Sequence, residues 1–132
     1  MGFTHHGYHK VEQGENYFII TYGGSWNVEQ VESFSYELQE ILKSSGFEKF
    51  GVISDLREWE GSTPEALLLA KEALDYFFDN GQIVSAHIHN SSVKKQFALG
   101  LKQLQASRMP LEEFESMEPA KEWMKRQLTE LL

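Results

Sequence analysis

Apolar positions along this chain follow two periods, and the switches between them mark out the elements. From Tyr17 to Tyr22 aromatic and β-branched residues run almost unbroken, as in a buried strand. The stretch ahead of it, from His5 to Gln13, alternates weakly. His9, Val11 and Gln13 share one face there, and Tyr8, Lys10 and Glu12 the other. Gly14-Glu15-Asn16 supplies a turn, so the two segments predict an antiparallel hairpin. After Gly23-Gly24-Ser25-Trp26-Asn27 the period becomes helical. Val28, Val31, Phe34, Leu38, Ile41 and Leu42 form one stripe between Val28 and Ser45, and Gly46 stands where a left-handed residue would end the helix.

Phe50–Asp55 is the next buried strand, followed by a polar loop. A strand, a helix and a strand at this spacing imply a right-handed parallel crossover. Ser62-Thr63-Pro64-Glu65 then opens a helix with a hydroxyl cap, a first-turn proline and an acid near the positive dipole end. That helix reaches Asn80-Gly81 and turns Ala66, Leu67, Ala70, Ala73, Leu74, Phe77 and Phe78 inward, with Leu68 on its outer side. A strand over Gln82–His89 follows. Asn90-Ser91-Ser92 caps a helix carrying Val93, Phe97, Leu101 and Leu104. Leu111–Phe114 is a short edge strand, and Ser116 caps a last helix with Ala120, Met124, Leu128 and Leu131 inward. The expected architecture is α/β, a single mixed and mostly parallel sheet of four to five strands, with an N-terminal antiparallel hairpin and about four helices.

A chain of 132 residues accommodates one domain, spanning 1–132, and no second core. Cysteine is absent, which excludes disulfides, thiol catalysis and thiolate zinc sites. The N-terminal MGFTHHGYHK has no apolar signal region, and His6 stands where a myristoylation motif needs Ser or Thr. No apolar run approaches a membrane span, so stable membrane insertion is not expected and the cytoplasm is the expected compartment. The formal charge of −8 opposes nucleic-acid binding. The unpaired edge of the hairpin invites a second copy, which makes a homodimer the expected assembly.

In a parallel sheet, ligands bind beyond the carboxyl ends of the strands. Three loops should leave that edge, Gly23–Asn27, Asp55–Thr63 and His89–Ser92. They would gather Trp26, Asp55, Arg57, Trp59, Ser62, Thr63, His89 and Asn90 beside three helix N-termini suited to anions. The plainer account is that these residues cap helices and cover the sheet rim. Lys94-Lys95 in a first helical turn opposes the dipole there, which an anion would relieve and solvent would relieve as well. His87 and His89 share a strand face as two metal ligands would, with His5, His6, His9 or Asp55 as third candidates, yet no metal-binding spacing is present. Gly23-Gly24-Ser25-Trp26-Asn27 departs from a nucleophile elbow at Asn27, and no phosphate-binding glycine motif occurs. No catalytic set, metal site or cofactor is therefore expected.

The order of elements, the central VISDLREWEGSTPEAL and the closing FESMEPAKEWM resemble the SpoIIAA-like branch of the STAS superfamily, from about Tyr8 to Leu128. Phe114, Ala120 and Trp123 look like that family's closing strand and helix. The resemblance implies a non-enzymatic regulatory or binding module that engages a protein partner or small anion at the strand-end edge. It also implies a phosphorylated serine at the start of the helix after the central strand, within an Asp-Ser-Ser-Gly type motif. Here that place reads Glu60-Gly61-Ser62-Thr63-Pro64, so Ser62 or Thr63 would stand in and the motif itself is absent. A similarity to CRAL-TRIO lipid-binding domains, together with the aromatic content, supplies the alternative of an apolar-ligand or lipid carrier. A metal-dependent hydrolase around His87 and His89 is the third reading.

Overall fold

The computed structural model describes residues 7–90 and 108–132. Its elements in chain order are β1 (Tyr8–Gln13), β2 (Tyr17–Trp26), α1 (Val28–Ser45), β3 (Phe50–Ser62), α2 (Pro64–Asp79), β4 (Gln82–Ile88), β5 (Leu111–Phe114) and α3 (Met117–Leu131). The five strands form one sheet in the order β1-β2-β3-β4-β5. β1 pairs antiparallel with β2, and every later neighbour is parallel. The α/β class, the mixed sheet and the N-terminal hairpin are as expected. The helix expected after Ser92, with Lys94 and Lys95, lies outside the described residues, as do His5 and His6.

Strand alternation sorts the apolar residues into two cores. Phe18, Ile20 and Tyr22 of β2 and Phe50, Val52 and Leu56 of β3 face α1 and α2, and pack with Val31, Phe34, Leu38, Leu42, Ala66, Ala73 and Phe77. Tyr17 and Ile19, with Ile53, Val84, Ala86 and Ile88, face the other way and pack under Ala120, Met124 and Leu128 of α3. Successive right-handed crossovers that advance in one direction put α1 and α2 on the same side of the sheet. Asn27 caps α1 by accepting from the Gln30 N–H at 2.9 Å, and Gly46 ends it at φ 76°. Thr63 caps α2 by accepting from the Ala66 N–H at 3.2 Å.

Five expectations need correction. β2 does not end at Tyr22 and β3 does not end at Asp55. Both continue as a paired ribbon to Trp26 and Ser62, so the first two expected rim loops are strand. Leu67 shares the inward stripe of α2 by period, yet it is 40% exposed in the first turns of that helix. Leu131 is likewise exposed near the end of α3. Ser116 occupies the N-cap of α3 but makes no side-chain capping bond.

Candidate functional site

The overrun of β2 and β3 is the most distinctive feature of the sheet edge. Thr21 pairs with Asp55 and Gly23 with Glu58, so two residues of β3 oppose one of β2. A second irregularity follows between Gly24 and Ser25, where Glu60 is the extra residue. Bulges of this kind leave a backbone N–H without its ladder partner and bend the strand. At the first bulge Asp55 supplies the partner. Its Oδ1 accepts from the Arg57 backbone N–H at 3.1 Å. The same carboxylate accepts from Arg57 Nε at 3.0 Å and Nη2 at 2.8 Å. The hydrogen bonds to Asp55 hold the Arg57 pKa above its ordinary value, against the opposing effect of desolvation. Beside this pair, Tyr8 of β1 donates its hydroxyl to Glu58, which raises the tyrosine pKa. The Tyr8 ring lies over Gly23, where any Cβ would collide with it.

Trp26 and Trp59 are not presented at the rim. They are 2% and 6% exposed and belong to the core under α1 and α2. The Trp26 indole donates to the Gly23 carbonyl at 2.9 Å and packs against Tyr22 and Phe34 at centroid distances of 5.2 and 5.0 Å. Ser62 is half-buried and, with both tryptophans, Tyr22, Phe34, Ala70 and Leu74, lines a cavity of about 20 Å³. That volume holds about one water molecule. Thr63 is exposed. His89 turns toward β5: its N–H donates to the Phe114 carbonyl at 3.0 Å, and its Nε2 lies 3.3 Å from Glu113 Oε1. Asn90 is exposed beside it. His87 is buried, with Nε2 3.4 Å from Ser85 Oγ. Of the expected rim set, then, Asp55 joins Arg57, Trp26 joins Trp59 and Ser62, and His89 stands apart with Glu113. Among the described residues no group of three or more His, Asp or Glu side chains could hold a metal ion.

Solved structures share this fold. An uncharacterised protein of the DUF3478 family from Shewanella loihica PV-4, described as having a SpoIIAA-like fold, superimposes with a TM-score of 0.72 at 15% identity, over 94% of this chain and 98% of that one. The Bacillus cell fate determinant SpoIIAA, in its phosphorylated form, gives 0.60 at 11% identity, over 91% of this chain and 99% of that one. The fold is SpoIIAA-like. No protein-family model and no curated protein sequence matches the chain. No described helix is long and apolar enough to cross a membrane.

Within this SpoIIAA-like fold the exposed side chains at the strand-end edge coincide only in part with those the sequence pattern singles out, Thr63 and Asn90 being in both sets. Glu58, Glu60, Thr63 and Glu65 are exposed there. Leu68, 70% exposed on α2, and Tyr36, 70% exposed on α1, continue the surface away from the edge. Between the two helices runs an open groove of about 400 Å³, lined by Val31, Ser35, Tyr36, Leu69 and Tyr76 together with Glu32, Gln39 and Glu72. Periodicity marks Leu68 as outward, which is the signal for its exposure. Tyr36 carries none, because nothing local shows that α1 and α2 lie side by side.

The ribbon also contains a buried titratable group. Burial pushes the Tyr22 phenol up to about 12 from its ordinary 10, while a hydrogen bond with Ser54 works in the opposite direction. Between those two values the folded state keeps a proton that the unfolded state releases. The corresponding stability is complete below about pH 10 and falls as pH rises toward about 12, by roughly 1.4 kcal/mol per pH unit within the window. Urea denaturation of wild type and Tyr22→Phe across that range measures it, and the variant should lack this component of the fall.

Proposed function

We propose that the chain is a cytoplasmic, non-enzymatic binding module of STAS type, organised as a single domain over 1–132. It engages a protein partner where the ends of β2 and β3 meet the start of α2. One observation carries this reading: Leu67 and Leu68 are exposed in the first turns of α2, directly after the exposed Thr63 cap and among Glu60 and Glu65. An exposed apolar pair with exposed acids close to it in sequence suits a partner that offers apolar side chains flanked by Lys or Arg. A small anion is the weaker candidate. Across Gly23–Asn27, Asp55–Thr63 and 89–90, Arg57 is the one lysine or arginine, and its guanidinium is already bound to Asp55. The apolar-ligand reading has less support too: the enclosed aromatic cavity holds about 20 Å³, far below the roughly 300 Å³ of a typical ligand pocket, and the larger groove between α1 and α2 is open and bordered by Glu32, Gln39 and Glu72.

Thr63 is the better placed of the two hydroxyls for a regulatory phosphate. It is exposed and sits at the positive end of the α2 dipole, whereas Ser62 is half-buried against the tryptophans. The module also self-associates through the outer edge of β1.

The test begins with proteins retained by the wild-type chain from its host and identified by mass spectrometry. Each is then purified, and its affinity is measured for wild type and for Leu68→Glu. A true partner binds the variant at least about tenfold more weakly, and binds wild type more weakly as salt rises. Equal affinity for the two would remove Leu68 and the α2 surface from the proposal. Phosphopeptide mapping of the same host-purified protein should place any modification on Thr63 and leave Ser62 bare.

A further inference from the structure

We infer that two copies of this chain join β1 to β1, antiparallel and centred on Val11, so that the two sheets become one. The inference rests on the reading of β1 as the self-association edge and adds its register. β1 ends the sheet, and no described strand pairs with its outer side. The Gly14 N–H donates to the Tyr17 carbonyl at 2.8 Å, which closes the hairpin with a hydrogen-bonded pair. Hydrogen-bonded and non-hydrogen-bonded pairs alternate along an antiparallel ladder. From the register of Gln13 with Phe18 to Tyr8 with Gly23, the backbone groups of Tyr8, Lys10 and Glu12 therefore point to β2. Those of His9, Val11 and Gln13 point outward.

Charge selects among the registers. A two-fold axis perpendicular to the sheet keeps the helices of both copies on matching faces, so residues of the same face oppose one another. Centring on Lys10 would set Lys10 against Lys10, and centring on Glu12 would set Glu12 against Glu12. Centring on Val11 opposes Lys10 with Glu12 on both sides of the axis. It also opposes Val11 with Val11 and His9 with Gln13, so every outward backbone group of the strand meets another outward group. Lys10 and Glu12 are exposed and lie 3.9 Å apart along their own strand. Across the axis the four charges would alternate in sign around a ring. This local neutralisation matters for a chain whose overall charge of −8 resists self-association.

The cysteine-free sequence permits a direct test, since Lys10→Cys and Glu12→Cys proteins each carry one thiol at an exposed site. Residues 10 and 12 would form a non-hydrogen-bonded pair with Cα atoms about 4.5 Å apart, within disulfide reach. An equimolar mixture should form disulfide-linked heterodimers under mild oxidation, while each variant alone stays largely unlinked. In light scattering the wild type should show a dimer mass. Lys10→Glu should dimerise about tenfold more weakly, because like charges then face each other twice, and K10E/E12K should recover the wild-type affinity. A monomer mass for wild type at every concentration would overturn the β1 edge altogether. A dimer in which Lys10→Cys links to itself, or in which Lys10→Glu dimerises as tightly as wild type, would leave the dimer and overturn this register.

Discussion

Trp26→Ala should lower the unfolding free energy by about 3–5 kcal/mol, the range for removing a large aromatic side chain from a packed core. The indole is 2% exposed, sits edge-on to Phe34 and lies against Tyr22. Its N–H donates to the Gly23 carbonyl inside the β2–β3 ribbon, so the truncation also leaves a buried acceptor without its donor. Trp26→Phe should cost less, because the ring volume largely remains and the hydrogen bond alone is lost. Urea denaturation measures both, as a shift in midpoint at unchanged slope. A loss under about 1 kcal/mol for the alanine variant would mean that the ribbon does not depend on this packing. The outcome bears on function: if Trp26 and Trp59 hold the edge together, loss of binding in their variants reports folding. Contact with a partner is then better probed at Leu68, Tyr36 and Thr63.

Gly81→Ala should be the most damaging glycine-to-alanine substitution among the described residues, at roughly 3 kcal/mol or more. Gly81 joins α2 to β4 at φ 121°, and a Cβ there would lie 2.1 Å from the Glu48 carbonyl oxygen. That oxygen belongs to the backbone leading into β3, and the Gly81 carbonyl in turn accepts from the Phe50 N–H at 3.0 Å. Neither side can yield without moving the start of a central strand. Gly46→Ala is the control. Its φ of 76° is also positive, but nothing lies within 4 Å of the added carbon, so the expected cost is about 1 kcal/mol. Parallel urea titrations of the two variants separate backbone strain from collision. Equal costs would rule the collision out.

The element order was legible because it depends on local periods. Phe18, Ile20 and Tyr22 alternate, Val31, Phe34, Leu38 and Leu42 recur at helical spacing, and Asn27, Gly46 and Thr63 carry the chemistry that starts or stops a helix. The ribbon beyond Tyr22 and Asp55 was not legible. Gly23-Gly24-Ser25 and Glu60-Gly61-Ser62 have the composition of turns. They become strand because each stretch pairs with the other across more than thirty residues of sequence, a contact no local window contains. The site moved with them. A tryptophan in a loop reads as a candidate for recognition, and a tryptophan on a strand covered by two helices is core.

The Asp55–Arg57 pair shows where the two levels meet. Asp55 was singled out as the polar residue ending a buried run, and Arg57 as its neighbour at the rim. Their bidentate contact, however, depends on the bulge that brings the Arg57 N–H and guanidinium onto one carboxylate. Leu67 is the converse case. It keeps step with the inward stripe of α2, but stands exposed near the start of that helix. The opening pattern of apolar and polar positions was enough to specify the class of fold, the faces of most elements and the caps, since those arise within a turn or a strand. Where the strands end, which aromatic residues are buried and which surface is left for a partner came from pairing and packing between distant segments. Burial belongs to the assembled layers, not to a residue's immediate neighbours in the chain.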